Sequence, residues 1–125
     1  MGALTSSFQM AYKLNHNKGT AIAIGRYPED RYDGYGTNGT GNPWFLATLA
    51  VSEYYCNLSK ISSAKKLPDL IEAQFSMALY HSDREGSMSE QFNRDNGIMQ
   101  GAKQLTWSHS SFMTAMMKCG NVAQK

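Results

Sequence analysis

The sequence predicts an all-α domain, and two observations predict it. Apolar residues recur at helical spacing in four separate stretches, which are residues 3–14, 43–58, 67–81 and 104–118. The segments between those stretches are long, polar and rich in glycine, and they give little indication of strand. A chain of 125 residues is long enough for one domain. We therefore expect one domain over residues 1–125, built from about four helices joined by long loops.

The first helix is predicted over residues 3–14 by one stripe of apolar side chains. That stripe is made by Leu4, Phe8, Ala11 and Tyr12. The segment NHNKG follows it and supplies stop signals, of which Gly19 is the last. Residues 20–24, TAIAI, are apolar but too short to be assigned by periodicity.

The second helix, residues 43–58, is expected to take Asn42 as its N-cap and Pro43 in its first position. Large apolar side chains cover nearly its whole circumference, which is typical of a buried helix. The third helix, residues 67–81, has a conventional amphipathic pattern. Its predicted inner face consists of Leu67, Leu70, Ile71, Phe75, Ala78 and Leu79.

The fourth helix, residues 104–118, follows a second long loop over residues 82–103. Its predicted inner face consists of Leu105, Ser108, Phe112, Ala115 and Met116.

Charge and composition exclude several classes of function. The chain has 12 basic and 10 acidic residues and a net charge of +2, with no basic stripe, so we expect no nucleic-acid or membrane partner. No apolar run approaches the ~20 residues that span a bilayer, and the N-terminus lacks the pattern of a signal peptide. Cys56 and Cys119 are too few for a disulfide framework or a metal site. We therefore expect no metal and no cofactor. The sequence does not indicate a cellular compartment.

Two glycosylation sequons occur, at Asn38 in NGT and at Asn57 in NLS. They have meaning only if the chain enters a secretory compartment.

The loop over residues 25–42 contains five glycines and the motif RYPED at residues 26–30. A loop of this length inside a small domain usually has a function or is disordered. Arg26 and Asp30 could together hold neighbouring hydroxyls of a pyranose, because a guanidinium donates and a carboxylate accepts hydrogen bonds. Alternatively, the two residues bridge each other and only stiffen the loop.

Glu90 lies among small polar residues in GSMSEQFNRDNG, residues 86–97, as though its carboxylate were presented to a ligand. A lone loop glutamate is, however, more commonly just solvated. Trp44 and Trp107 each lie near the start of a helix, where an indole can line a sugar site or simply anchor the helix end.

These segments occur in the same order in one family. IGRYPEDRYDGYGTNGTGNPWFLATLAVSE, GSMSEQFNRDNG and GAKQLTWSHSSFMTA together closely resemble the C-terminal part of the catalytic domain of fungal glucoamylases, the inverting glucan 1,4-alpha-glucosidases. The similarity extends from about Leu4 to Met116. It implies part of a six-hairpin (α/α) barrel, and an activity that releases glucose from the ends of starch, glycogen and maltodextrins.

The resemblance also implies roles for individual residues. Arg26 and Asp30 of RYPED would hold the terminal glucose, and Trp44 of NPWF would line the sugar subsites. Glu90 of SEQ would be the catalytic base, and Trp107 of LTWS would pack beside it. An inverting glycosidase needs such a base to draw a proton from water, and Ser87 and Ser89 leave room for that water.

An inverting glycosidase also needs a general acid on the opposite side of the sugar. The family carries it in an earlier DLWEE-type segment, and no such run occurs in these 125 residues. The family's ARDLTWS is AKQLTWS here, with Lys103 and Gln104, and the connector SKISSAKK is short.

We therefore expect a glucoamylase-like fragment that is inactive alone. A weak glucan-binding module and a remnant without function are the alternatives. Four helices cannot close the barrel, so we expect part of the second helix to be exposed and to promote self-association. The residues expected to be exposed are Trp44, Phe45, Leu49, Val51 and Tyr54.

Overall fold

The structure, a computed structural model, describes residues 1–16, 19 and 21–120. Four α-helices dominate it, as the sequence predicts. Helix α1 covers Gly2–Ala11 and is followed by a 3-10 turn at Lys13–His16. Helix α2 covers Phe45–Ser59, α3 covers Leu67–His81 and α4 covers Thr106–Cys119.

A short antiparallel hairpin interrupts the loop predicted over residues 82–103. Strand β1, Gln91–Phe92, pairs with strand β2, Met99–Gln100, so that Gln91 lies opposite Gln100 and Phe92 opposite Met99. Each strand has only two residues, which is too short to produce a visible alternation in the sequence. The hairpin lies immediately after Glu90.

Helix α2 is the centre of the fold, and both α3 and α4 pack against it. The prediction that its apolar residues are exposed is wrong for four of the five residues. Trp44, Phe45, Leu49 and Val51 are all buried, and only Tyr54 is substantially exposed, at 44%. The reason is that the N-terminal segment and the hairpin cover the sides of α2 that α3 and α4 leave open, and they contribute Phe8, Tyr12 and Phe92 to the same core.

The predicted N-cap of α2 is also wrong. The helix begins at Phe45 after Trp44, and no side chain caps it. The Asn42 side chain is buried and serves a different purpose. Its amide nitrogen donates to the Asp33 carbonyl and to Oε1 of Gln91, and its oxygen accepts from the backbone of Arg94. Asn42 therefore connects the long loop to the segment that carries Glu90.

The described part of the TAIAI segment, residues 21–24, runs through the core without regular secondary structure. Polar side chains satisfy its buried backbone. Gln74 accepts from the Ile22 amide at 3.1 Å and donates to the Ile22 carbonyl at 2.6 Å. Asn15 bonds both backbone groups of Ala23 in the same way, and Thr48 bonds those of Ile24. These side chains replace a neighbouring strand.

The cysteine prediction requires a correction, because Cys56 and Cys119 form a disulfide between α2 and α4. Their Cα atoms are 5.3 Å apart although 63 positions separate them in sequence. The inward faces of α2 and α4 converge at this point, and spacing in the sequence does not reveal that.

Among residues 1–16, 19 and 21–120, no group of three or more histidine, cysteine or acidic side chains could hold a metal. No helix in the same part is long and apolar enough to cross a membrane.

Helix α1 is shorter than predicted, because Tyr12 takes an extended conformation and ends it. The stop signals Asn17 and Lys18 and the first residue of TAIAI, Thr20, lie outside the described residues. The predicted bounds of α3 are correct at both ends, and those of α4 are displaced by one or two residues.

Self-association through exposed helices stays a prediction. Helix α4 has four exposed apolar side chains, which are Trp107, Met113, Met116 and Met117.

Candidate functional site

Arg26 and Asp30 form a bidentate ion pair at the start of the long loop. Nε of Arg26 donates to Oδ2 of Asp30 and Nη2 donates to Oδ1, both at 2.7 Å. The Asp30 side chain is 1% exposed and the Arg26 side chain 42% exposed. The two residues therefore differ in accessibility, since a ligand can reach the guanidinium but not the carboxylate.

The pair leaves part of the guanidinium available. A guanidinium has five N–H donors, and Asp30 takes two of them. The hydrogen bonds that Arg26 donates to Asp30 are the main reason that the pKa of Arg26 is raised. Burial acts to raise the pKa of Asp30, but the bonds from Arg26 and the Tyr32 amide outweigh it, so that pKa is lowered. Both groups are held in their charged forms.

Three aromatic rings surround the guanidinium. The Arg26 Cζ atom lies 5.1 Å from the ring centroid of Tyr32, 5.2 Å from that of Trp44 and 5.8 Å from that of Tyr27. These separations are within the range of cation–π attraction. The Tyr32 and Trp44 rings are themselves 6.2 Å apart and tilted. Arg26 is thus fixed by rings as well as by Asp30.

Glu90 joins this group through Tyr32. The Tyr32 hydroxyl donates to Oε2 of Glu90 at 3.1 Å. The pKa of Tyr32 is raised, first by burial and then by the hydrogen bond to Glu90 and its negative charge. Tyr32 is therefore a neutral donor that links the arginine cluster to the carboxylate. Sequence reasoning missed Tyr32, because nothing in RYPEDRY shows that this tyrosine turns toward a residue 58 positions away.

The backbone around Glu90 is fixed on both sides. Its amide donates to the Ala102 carbonyl at 2.8 Å, and its carbonyl accepts from the amide of Phe45, the first residue of α2. Gly101 has φ of +75°, and a side chain there would collide with Oε2 of Glu90. Oε2 is thus enclosed by Tyr32 and Gly101. Oε1 accepts no hydrogen bond within the described part of the chain.

Trp44 precedes α2 and is buried, 6% exposed. Its backbone forms an isolated bridge with Gln91, the residue after Glu90, and its amide donates to the Ile24 carbonyl. Its indole N–H is buried and has no partner among residues 1–16, 19 and 21–120. A buried donor without a partner is costly. The structure therefore brings together Arg26, Asp30, Tyr32, Trp44 and Glu90.

Trp107 lies in the first turn of α4, and its side chain is 62% exposed. That turn is held close to Glu90, because Oγ of Ser108 donates to the Ser89 carbonyl at 2.7 Å and the Leu105 amide donates to the Met88 carbonyl. An open depression of about 680 Å³ has a lining that includes Ser89, which precedes Glu90, and Gly101, which lies against its Oε2. Trp107 is thus at the same end of the fold, but its indole projects outward and does not join the aromatic group around Arg26.

The substituted pair Lys103–Gln104 is exposed in the loop before α4. Gln104 has φ of 48°, the left-handed region in which aspartate and asparagine are enriched. The aspartate of the family motif suits that conformation better than glutamine does. This is a backbone reason for the motif residue, separate from its charge.

Known proteins similar to this chain come from one family. Residues 1–77 and 58–117 match the sequence profile of glycosyl hydrolases family 15. A glucoamylase of Blastobotrys adeninivorans is 32% identical over 158 residues, which take in 90% of this chain and 25% of that protein. A probable glucoamylase of Schizosaccharomyces pombe is 36% identical over 132 residues, with 82% of this chain and 29% of that protein covered.

The first alignment is longer than the 125-residue chain, so the relative contains residues without a counterpart here. The two matched family segments overlap at residues 58–77, which is where the short connector SKISSAKK lies.

Solved structures give the same result. A glucoamylase from Saccharomycopsis fibuligera superposes with a TM-score of 0.79 at 27% identity, over 98% of this chain and 34% of that chain. The glucoamylase of Hormoconis resinae gives a TM-score of 0.76 at 26% identity, over 94% and 26%. These enzymes are (α/α) barrels, so the four helices form part of such a barrel. The chain spans about a quarter of the length of the curated relatives it matches. With matched segments from residue 1 to residue 117, the chain belongs to glycosyl hydrolases family 15.

Proposed function

We propose that this chain supplies the glucose-binding and base-bearing part of an inverting glucosidase site that acts on α-1,4-glucans. The observation that carries the proposal is the cluster in which Tyr32 links the Arg26–Asp30 pair to Glu90. A charged donor and aromatic faces suit recognition of a pyranoside, and a half-buried carboxylate is one of the two groups that its hydrolysis requires.

Arg26 is proposed to bind the terminal glucose. Its N–H groups that do not face Asp30 donate to sugar hydroxyls, and their direction is set by the ion pair. Asp30 is proposed to act through Arg26, because its own carboxylate is buried and already accepts three hydrogen bonds. Trp44 is proposed to line the subsite with the small part of its ring that remains exposed. Trp107 is proposed to contact the substrate from the exposed first turn of α4.

Glu90 is proposed to be the general base. Tyr32 and Gly101 enclose Oε2, so Oε1 is the oxygen that would accept a proton from the attacking water. As this proton is lost, the water oxygen attacks the anomeric carbon from the side opposite the leaving oxygen. The same step requires an acid that protonates the leaving oxygen. Absence of a positioned acid typically costs 10²–10⁴-fold in rate, so we propose that these 125 residues alone release no glucose.

The hydrolytic proposal can be tested in a complete barrel. In a chimera, this chain would replace the matching third of the Saccharomycopsis fibuligera glucoamylase, and glucose release from maltose would be measured. Glu90→Gln should lower kcat at least 100-fold, whereas Glu85→Gln, an exposed glutamate five positions away, should leave it unchanged. A folded chimera that is equally active with Glu90→Gln would overturn the assignment.

Glucan binding without hydrolysis is the second candidate. The preformed Arg26 cluster favours it, because that cluster is complete within this chain and needs no acid. A pocket that surrounds most of its ligand binds tightly, and this site has only part of such a wall, so weak millimolar binding is expected. Binding of maltose by a chain that fails to hydrolyse in any chimera would favour this candidate.

A further inference from the structure

The sequon at Asn38 lies on an exposed turn that the proposed site does not use. Asn38 and Thr40 are both exposed, and the turn is organised by Asp33. Oδ1 of Asp33 accepts from the amides of Tyr35 and Gly36, both at 2.9 Å. A side chain at position 39 would collide with the Asp33 carboxylate, and the sequon has glycine there. The turn therefore presents Asn38 outward, while Asp33 packs beneath it.

The second sequon is placed differently. Asn57 is also exposed, but it lies within α2. Its Oδ1 accepts from Nζ of Lys60 at 3.2 Å, and the Ser59 hydroxyl donates to the Cys56 carbonyl at 2.8 Å. Both polar members of this sequon are thus engaged within the helix. Asn38 is the better acceptor of the two.

An independent observation concerns the compartment. Cys56 and Cys119 form a disulfide between α2 and α4, and both are buried. Structural disulfides form and persist in oxidising compartments and are rare in the cytosol. N-glycosylation of Asn-X-Ser/Thr also occurs in a secretory compartment. The disulfide and the exposed sequon therefore point to the same environment.

We propose that Asn38 is an N-glycosylation site. The donor is an oligosaccharide linked to a lipid diphosphate, and a host transferase catalyses the step. The Asn38 side-chain nitrogen forms a bond to the anomeric carbon of the first sugar. The bond from that carbon to the diphosphate oxygen breaks, and the lipid diphosphate leaves. The amide nitrogen loses one proton to a base of the transferase.

The first test isolates Asn38. The whole chain, fused to a secretory signal and carrying Asn57→Gln, would be translated with microsomes and analysed by gel mobility. We expect a slower band that endoglycosidase H removes. The band should disappear with Thr40→Ala, which keeps Asn38 but destroys the sequon, and persist with Thr40→Ser. Absence of the band, or an equal band with Thr40→Ala, would overturn the proposal.

The second test uses the protein isolated from its natural cells. Peptide mass spectrometry would determine the modification of Asn38 and the state of the two cysteines in the same sample. We expect a glycan on Asn38 together with a Cys56–Cys119 cross-linked peptide. Unmodified Asn38, with the cysteines either joined or as free thiols, would overturn the proposal.

Discussion

The Tyr32 hydroxyl donates a hydrogen bond to Oε2 of Glu90 across 58 positions of sequence, at 3.1 Å. The same tyrosine ring lies against the guanidinium of Arg26. One side chain therefore connects the group proposed to hold the sugar with the carboxylate proposed to activate water. The link also has consequences for the titration of Tyr32.

The pKa of Tyr32 is raised by burial and, to a smaller extent, by the hydrogen bond and negative charge of Glu90. Glu90→Gln removes the charge and should lower that pKa, so Tyr32 would ionise at a lower pH than in the parent. NMR titration of ¹³C-labelled tyrosines measures this directly. Glu85→Gln should leave the Tyr32 titration unchanged. Identical Tyr32 curves in the parent and Glu90→Gln would show that the two groups are not coupled.

Through Asp30, the stability of the fold depends on pH. Burial opposes its ionisation, but the bonds from Arg26 and from the Tyr32 amide prevail and lower its pKa in the folded chain. Ionised Asp30 therefore stabilises the fold above the pKa of an unfolded aspartate, and this contribution is lost as the pH falls through the lowered folded value. Asp30→Asn should cost about 1.5–3 kcal/mol at neutral pH.

Urea unfolding at a series of pH values tests the Asp30 prediction. The difference in unfolding free energy between parent and Asp30→Asn should be largest near pH 7 and shrink in acid. Asp95→Asn, at an exposed turn position in the hairpin, should change little. A cost for Asp30→Asn that is the same at low and neutral pH would contradict the ion-pair explanation.

The disulfide should contribute a large part of the stability. It closes a loop across 63 positions, and the chain-entropy estimate for a loop of that length is about 4 kcal/mol. Total stability of a domain is usually about 5–15 kcal/mol. Reduction should therefore lower the urea midpoint strongly. The variant in which Cys56 and Cys119 are both alanine should match the reduced parent and should not respond to reductant.

The helices could be predicted because each has a local cause. The apolar spacing of residues 67–81 is enough to place α3. Of its predicted inner residues, Leu67, Ile71 and Ala78 are buried, whereas Leu79 is exposed. Only the family resemblance predicts that Glu90 lies beside the RYPED loop. In the structure, the hydrogen bond from Tyr32 to Glu90 explains this position.

What could not be predicted depends on contacts between distant segments. Asn42 has the composition of an N-cap, but its partners Gln91 and Arg94 lie about 50 positions away and outweigh the local preference. Gln74 reads as a polar residue of an amphipathic helix, yet it is fully buried and pairs with the backbone of Ile22. The Cys56–Cys119 bond depends on how α2 and α4 pack. None of these pairings leaves a periodic signal.

The measurement that tests the central claim most directly is a maltose titration of the chain followed by ¹H–¹⁵N NMR. The account predicts shifts in the amides of residues 26–44 and near Glu90, saturating at millimolar maltose. Arg26→Ala should abolish these shifts, and Arg31→Ala, an exposed arginine of the same loop, should preserve them. Equal binding by Arg26→Ala and the parent, or shifts confined to residues far from Glu90, would contradict the account.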